Sequence, residues 1–435
     1  MPFQVSPGIN VSEIDLTTVV PNVATSIGAV AGGFQWGPVL ERTSITTEND
    51  LVETFGKPND DTAEYFHTAS NYLSYSNNLW VVRNVGTSAK NAVVGDSSAG
   101  TAANVNNATD YDSDTFTDQL FVAKYPGALG NSLKALCVDG VGWATLSAIA
   151  LAARTVDQAA MIANFDRAPG TSTDVANAGG SLDEMHVLVI DEDGLWTGTP
   201  GEVLERHAFV SKASDAKRID GSSNYVGNVL RNESKYIWLG LPSQITATTI
   251  DSNSHAGTAK AGTTFNRING ASQTLQMPGG SLTLGVDDNV LTDGELQAAY
   301  NLYVTPEVVD VTLVMGGPAS TVTGRWIVDN ITSVRKDCIA LVSPNRASVV
   351  VPPSNSAAVA ALEVDNTALG SSSYAVMDGA WKYQYDRYND KFVYVPCNGD
   401  IAGLCARTDY THDAWWSQAG YNLSLIHISE PTRRT

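Results

Sequence analysis

Several residue groupings in this chain have the types that chemistry needs, and each can be tested against the spacing that chemistry demands. Asp110, Asp112 and Asp114 begin like a calcium-binding loop. Such a loop requires Gly at its sixth position and Glu at its twelfth, and here those are Thr115 and Phe121, so a solvated acidic loop is the better reading. Asp191-Glu192-Asp193-Gly194 follows an apolar run and precedes Leu195-Trp196, which fits a hairpin turn better than a metal site. His186 and His207 have no Cys or Ser at a spacing that would make a nucleophile pair. Asp287-Asp288 is a carboxylate pair whose meaning depends on whether a cleft surrounds it. The pairs Gly279-Gly280 and Gly316-Gly317 belong to no GxGxxG or GxxxxGK[ST] pattern and read as strand-end turns. Trp381, Tyr383 and Tyr385 alternate, with Tyr388 beyond them, as on a strand face; a sugar or base platform is the alternative. No GxSxG elbow and no HExxH is present. No residue is assigned a catalytic, cofactor-binding or metal-binding role.

The elements that would position these groups follow from periodicity. Residues 3 to 12 alternate strictly, with Phe3, Val5, Pro7, Ile9 and Val11 on one face. That is an extended strand. Its phase slips at Glu13, after which Ile14 and Leu16 carry the apolar face, as a bulge would produce. Nothing nearby pairs with it as a hairpin, so it is expected to dock far away or on another chain. Residues 24 to 34 read as a buried strand. Thr47 to Phe55 reads as a helix stopped by Gly56. Asp61 is expected to cap a second helix with the stripe Ala63, Phe66, Ala69, Tyr72 and Leu73. A strand is expected from Leu79 to Val85. Residues 87 to 118 are small and polar and read as a linker or reduced outer domain.

Beyond that stretch, strands are expected at 120–124, 133–138, 186–191 and 236–239, with a helix over 225–231 and loop over 243–278. Thr292 and Glu295 form a capping box for a helix with the face Leu296, Ala299, Tyr300 and Tyr303. A strand over 308–315 follows, then a helix over 320–334 buried through Ile327, Ile331 and Val334. Strands over 338–342 and 374–377 flank a helix around 359–364. This βα alternation implies a layered α/β domain. Its first strands lie before residue 86 and its remainder after 290, with an α+β domain inserted between. The expected divisions are an arm at 1–22, body segments at 23–86 and 291–422, the small-residue stretch at 87–118, the insert at 119–290 and a tail at 423–435.

Composition bounds the function. The chain has 435 residues, 43% apolar and 17% charged, an ordinary globular balance for two or three domains. Forty-six acidic residues against 26 basic ones give a net charge of −20. That disfavours direct contact with nucleic acid or anionic lipid. The four cysteines, Cys137, Cys338, Cys397 and Cys405, make no CxxC pair and read as free thiols in a reducing compartment. The first ten residues lack the pattern of a secretory signal.

Several runs together resemble the tail sheath proteins of T4-like myoviruses: Ser6-Pro7-Gly8-Ile9, Gly33 to Pro38, Asp50 to Pro58, Val81-Val82-Arg83, Tyr125 to Gly130, Lys382 to Asp386, Asp400 to Asp409 and Ala419 to Asn422. Their order and spacing cover most of residues 6 to 422. The resemblance implies a structural subunit, not an enzyme, that needs no cofactor. It implies self-association as a helix of stacked rings around a tail tube, with baseplate and tail terminator as further partners and assembly in the host cytoplasm. Contraction would drive the tube through the host envelope during genome ejection. Arms that add strands to neighbouring subunits are also implied, here by Phe3, Val5, Pro7, Gly8, Ile9, Val11, Ile14 and Leu16. Thr17 to Val23, with Pro21 and Asn22, would serve as the hinge. A tailocin-like injection machine, or a tail-associated carbohydrate-binding or hydrolytic protein, is the alternative. Residues 423 to 435 do not follow the family, which continues into a long C-terminal domain; 423–433 resembles a translated sequencing adapter and is expected to be non-native.

Overall fold

The computed structural model describes residues 26–95, 101–117, 119–240, 256–265, 277–350, 352–412 and 416–417. The expected arm and hinge, Phe3 to Leu16 with Pro21 and Asn22, and the expected tail at 423–435 lie outside the described residues. The strands, in chain order, begin with β1 (Gly28–Gly33), β2 (Arg42–Ile45) and β3 (Leu79–Asn84). They continue through β4 (Val93–Gly95), β5 (Gln119–Ala123), β6 (Leu133–Asp139), β7 (Glu184–Asp191), β8 (Glu202–Ser211), β9 (Ile237–Leu239) and β10 (Gly279–Ser281). The last are β11 (Leu313–Met315), β12 (Ile339–Val342), β13 (Ala375–Met377), β14 (Trp381–Asp386) and β15 (Lys391–Pro396).

A six-stranded sheet in the order β13-β12-β11-β1-β3-β2 organises the body. It is parallel except for β2. Its two halves come from opposite ends of the sequence: Gly28 pairs with Leu313 on one side and Leu79 on the other. The central strands β1, β3, β11 and β12 are apolar on both faces, as a sheet covered on both sides requires. On one face Val30, Val81, Met315 and Leu341 pack under the helices Ala63–Leu73 and Asn398–Thr411. On the other, Ala29, Val82, Val314 and Val342 meet Tyr300, Tyr303, Ile327 and Ile331. The result is the discontinuous three-layer α/β body the βα alternation implies.

All pairing of β4 to β10 stays within the inserted region. β10-β6-β7-β8 form one antiparallel sheet and β4-β5-β9 another. A shared core of Phe121, Leu133, Ala135, Val187, Val189, Leu230 and Leu239 lies between them.

The helix signals hold at the caps. Thr47 caps Glu48–Phe55, and Gly56 ends it at φ 80°; Thr292 and Glu295 make the full capping box. Four expectations need correction and a fifth is narrowed. Asp61 caps nothing: the Asn59 side chain accepts from the backbone N–H of Asp61 and Thr62 at 3.1 and 3.0 Å. The described part of residues 87–118 fits the reduced-domain alternative and not the linker, because β4 is a sheet strand and Val93, Ala103 and Val105 are buried with Trp238. Small side chains in that described part serve close packing. Val308 is exposed and β11 starts only at Leu313. Val334 is exposed, because Val328–Thr332 forms a π-turn. The extra residue in that turn rotates the following face, and Thr332 is buried instead. Gly279-Gly280 is no strand-end turn; it lies within β10 and pairs with Leu136 and Ala135.

Candidate functional site

Three of the recognised sequence runs, far apart in the chain, meet around one buried cation. Arg83 is the penultimate residue of β3 and is fully buried. Its Nε donates to Phe34 O at 2.8 Å, Nη1 to Gly37 O at 2.8 Å, and Nη2 to Pro126 O at 2.7 Å and Gln35 O at 3.3 Å. The loop 34–38 after β1 and the loop 125–130 after β5 are thus pinned to the same planar fork, whose rigid donors suit such carbonyls. Burial pulls the Arg83 pKa down to about 9, with the Asp287 carboxylate opposing, so the cation persists at neutral pH. Gly127 sits at φ 143°, and a Cβ there would lie 3.0 Å from both Asp287 Oδ1 and Gln35 O. Trp36 closes the junction with edge contacts to Tyr125 and Trp196 at 5.4 and 4.9 Å.

The neck between body and inserted region lies beside it. Asp288 Oδ2 accepts from Ser88 N at 3.0 Å, Asp287 Oδ1 from Ala128 N at 2.7 Å, and Asp288 O from Gly86 N at 2.7 Å. The carboxylate pair therefore stitches outgoing to returning chain.

In a doubly wound sheet the ligand crevice opens beyond the carboxyl ends where strand order reverses, here between β1 and β11. The ring of Tyr65 fills that place. A Cβ on Gly32 would lie 2.0 Å from Tyr65 Cδ1, and one on Gly317 3.5 Å away. The glycines make room for the chain's own side chain, and burial pushes its phenol pKa well up.

At the carboxyl ends of β12 and β13 a polar knot holds the last helix and the hairpin. Ser343 Oγ donates to Asp378 at 2.6 Å, Asn398 Nδ2 donates to Gly317 O at 2.8 Å, and Lys382 binds Asp400 at 2.7 Å. Burial raises the Asp378 pKa to about 6.

The other sequence candidates are also engaged. Asp112 binds Arg231 through both oxygens, while Asp110 and Asp114 turn to the backbone N–H of Asn106 and Thr115. These three carboxylates diverge rather than converge. Asp191 sits in a hairpin, as expected, and accepts from Ser132, Trp196 and Thr197. His186 is stacked on Phe165 at 4.1 Å, bonded to Arg167 O and Phe209 N, and burial lowers its pKa. His207 contacts Glu205 at 3.1 Å. Among the described residues no group of three metal-ligating side chains is arranged to hold an ion.

Outward-facing features are of a different kind. Tyr383 and Tyr385 pack with Phe392 and Tyr394 on the open face of the β14-β15 hairpin, which pairs with no other strand among the described residues. Tyr388 instead turns inward to Glu48 and Phe66. The body sheet ends in two short edge strands, β2 and β13. The described chain starts at Ser26, whose hydroxyl donates to Asp409 on the last helix. Sequence reasoning passed over Arg83 and Tyr65 as working parts; the one available signal was a charge inside the apolar strand 79–84, which must be paired if buried.

Comparison with known proteins places these observations. Residues 25–83 match the family model described as tail sheath protein Gp18 domain III N-terminal region. The chain is 30% identical to the tail sheath protein of Enterobacteria phage T4, over 99% of this chain and 77% of that one. It is 27% identical to that of Vibrio phage KVP40, covering 97% and 76%, and 25% identical to that of Salmonella phage ViI, covering 97% and 72%. Crystal structures of sheath tail proteins from Listeria innocua and Desulfitobacterium hafniense align with TM-scores of 0.42 and 0.41 at 12% and 11% identity. They cover 89% and 93% of this chain, which spans 56% and 62% of theirs.

Proposed function

The chain belongs to the tail sheath protein family of T4 and related phages, and from that premise we propose that it polymerises with copies of itself as a helix of stacked rings around a tail tube and contracts to drive the tube through the host envelope. The observation that carries this reading is the single alignment to the T4 tail sheath protein, which runs through both body segments and the insert. The tail tube protein, baseplate and tail terminator are the proposed partners, with assembly in the host cytoplasm. The net charge of −20 supports a protein that touches neither DNA nor membrane directly.

The work of contraction then comes from contacts between copies, released over a kinetic barrier, and not from a reactive centre. The plugged crevice at Tyr65 and the engaged carboxylates support that view. Residues 1–22 act as the exchange arm, with Phe3, Val5, Pro7, Ile9 and Val11 adding a strand to a neighbour and Pro21-Asn22 as hinge. Residues 23–86 and 291–422 form the body that carries the rings, and 119–290 the insert.

The test is co-expression with the tail tube protein and electron microscopy of the product. Deleting residues 1–16 should leave the circular dichroism spectrum and thermal melt of the monomer unchanged but abolish helical polymers. Both arms of the test use the product of the complete gene: polymers of normal length from its deletion variant would remove the arm assignment, and absence of any tube-bound polymer from it without the deletion would remove the sheath reading.

A further inference from the structure

Three ionisable side chains with no part in the junction meet inside the inserted region. Asp139 ends β6, Asp183 immediately precedes β7 and Lys212 immediately follows β8. They therefore sit at the same end of three neighbouring antiparallel strands. Their exposures are 3%, 0% and 1%. Lys212 Nζ lies 3.7 Å from Asp139 Oδ2. The two oxygens of Asp139 have different tasks. Oδ1 accepts from Val141 N and Gly142 N, at 3.1 and 2.9 Å, and caps the helix Gly140–Ala148. Oδ2 faces the amine. Asp183 is held by Ser172 and Ser211, and its carbonyl accepts from Lys212 N at 2.9 Å.

We propose that Lys212 and Asp139 condense into an intramolecular amide, Nζ to Cγ, with Asp183 as the proton-transferring group. Burial among apolar strands lowers the Lys212 pKa, against the pull of Asp139 and Asp183, and so favours the neutral, nucleophilic amine. Its lone pair attacks Cγ. The developing charge falls on Oδ1, where two backbone N–H groups at a helix N-terminus already point. One ammonium proton passes to Asp183 before the attack and from there to Oδ2, a second passes from the attacking nitrogen to Oδ2, and Oδ2 departs as water as the C–O bond breaks. Ammonium plus carboxylate gives amide plus water, with no oxidant or reductant involved. The oxygen that leaves is the one that caps nothing; Oδ1 remains as the amide carbonyl and keeps both helix bonds. The ion pair that would otherwise persist is weakly favoured in a dry interior.

The link would tie the end of β6 to the end of β8 across β7. The sheet could then not open between them without breaking a covalent bond, which suits a part that carries mechanical load.

The experiment is intact-mass measurement of the denatured full chain, followed by tryptic mapping. The expected mass is about 18 Da below that of the sequence, one water. Lys212 should resist trypsin, and the peptide Ala135–Arg154 should be found joined to His207–Lys217. Asp139→Asn should lose about 17 Da instead, one ammonia. Lys212→Arg should restore the full mass, and Asp183→Asn should restore it while keeping a native circular dichroism spectrum. An unmodified wild-type mass would overturn the proposal whether or not the variants fold. So would water loss without joined peptides, as a succinimide at Asp139-Gly140 or Asp193-Gly194 would give. Undiminished linkage in Asp183→Asn would overturn the role of Asp183.

Discussion

Replacing Arg83 by Met keeps the unbranched apolar stem of the side chain and removes every donor. Four carbonyl oxygens, on Phe34, Gln35, Gly37 and Pro126, then lose their partner, all but that of Gln35 in a buried bond. A buried unpaired acceptor costs about 1–3 kcal/mol. Against that, Met avoids the several kcal/mol needed to desolvate a guanidinium. Because the carbonyls stay behind, the balance falls on the side of loss, at about 3–5 kcal/mol. Urea unfolding followed by tryptophan fluorescence reads it, since Trp36 is buried at this junction. With a slope of about 1–3 kcal/mol per molar, the midpoint of the transition that exposes Trp36 should fall by at least about 1 M. Arg83→Lys should recover only part, because an ammonium offers three donors from one point rather than a planar fork. A Met variant within about 1 kcal/mol of wild type, or a Lys variant equal to it, would refute the claim that the fork holds the two loops.

Other perturbations test other parts. The Asp378 carboxyl is raised from 3.8 to about 6 in the folded protein, so the folded state binds more protons than the unfolded state between those values. Stability from this group is present below pH 3.8 and is lost as pH rises through about 6; the difference is worth about 3 kcal/mol. Asp378→Asn should therefore raise the melting temperature at pH 7, leave it unchanged near pH 3.5, and flatten its fall in between. Gly32→Ala should destabilise by about 2–4 kcal/mol through the clash with Tyr65, and Tyr65→Leu should relieve much of that in a double-mutant cycle of chemical denaturation. Ile331→Ala should cost about 2–4 kcal/mol by the same assay, whereas Val334→Lys should fall within about 0.5 kcal/mol.

The body was legible in the sequence because its signals are local and agree with one another. Apolar runs at 28–33 and 79–84, the capping box at Thr292 and Glu295, and the stop at Gly56 each announce an element without reference to the rest. Even the split of one sheet between residues before 86 and after 290 followed from where the βα alternation stops and resumes. What stayed hidden depends on distant partners. β8 alternates weakly, since its first five residues lie near the sheet margin with Glu202 and Arg206 exposed. Val93, Ala103 and Val105 look like loop until Trp238, far along the chain, covers them. The π-turn at Val328–Thr332 breaks a helical period that sequence alone continues smoothly to Val334. Arg83 and Tyr65 gave no motif of their own; their roles arise from carbonyls and glycines brought in from other segments.

The interleaving of the body sheet bears on how the polypeptide matures at the ribosome. β1 and β3 emerge early, yet the neighbour that β1 needs on its other side, β11, lies roughly 230 residues beyond β3. At a synthesis rate of about 5–20 residues per second, β1 waits about 10–50 s with one apolar border uncovered. Among the described residues the intervening strands pair only with one another and can fold during that interval. The nascent body is thus open to chance contacts for as long as the insert takes to be made, and an infected cell producing many copies at once would need chaperones most during that window.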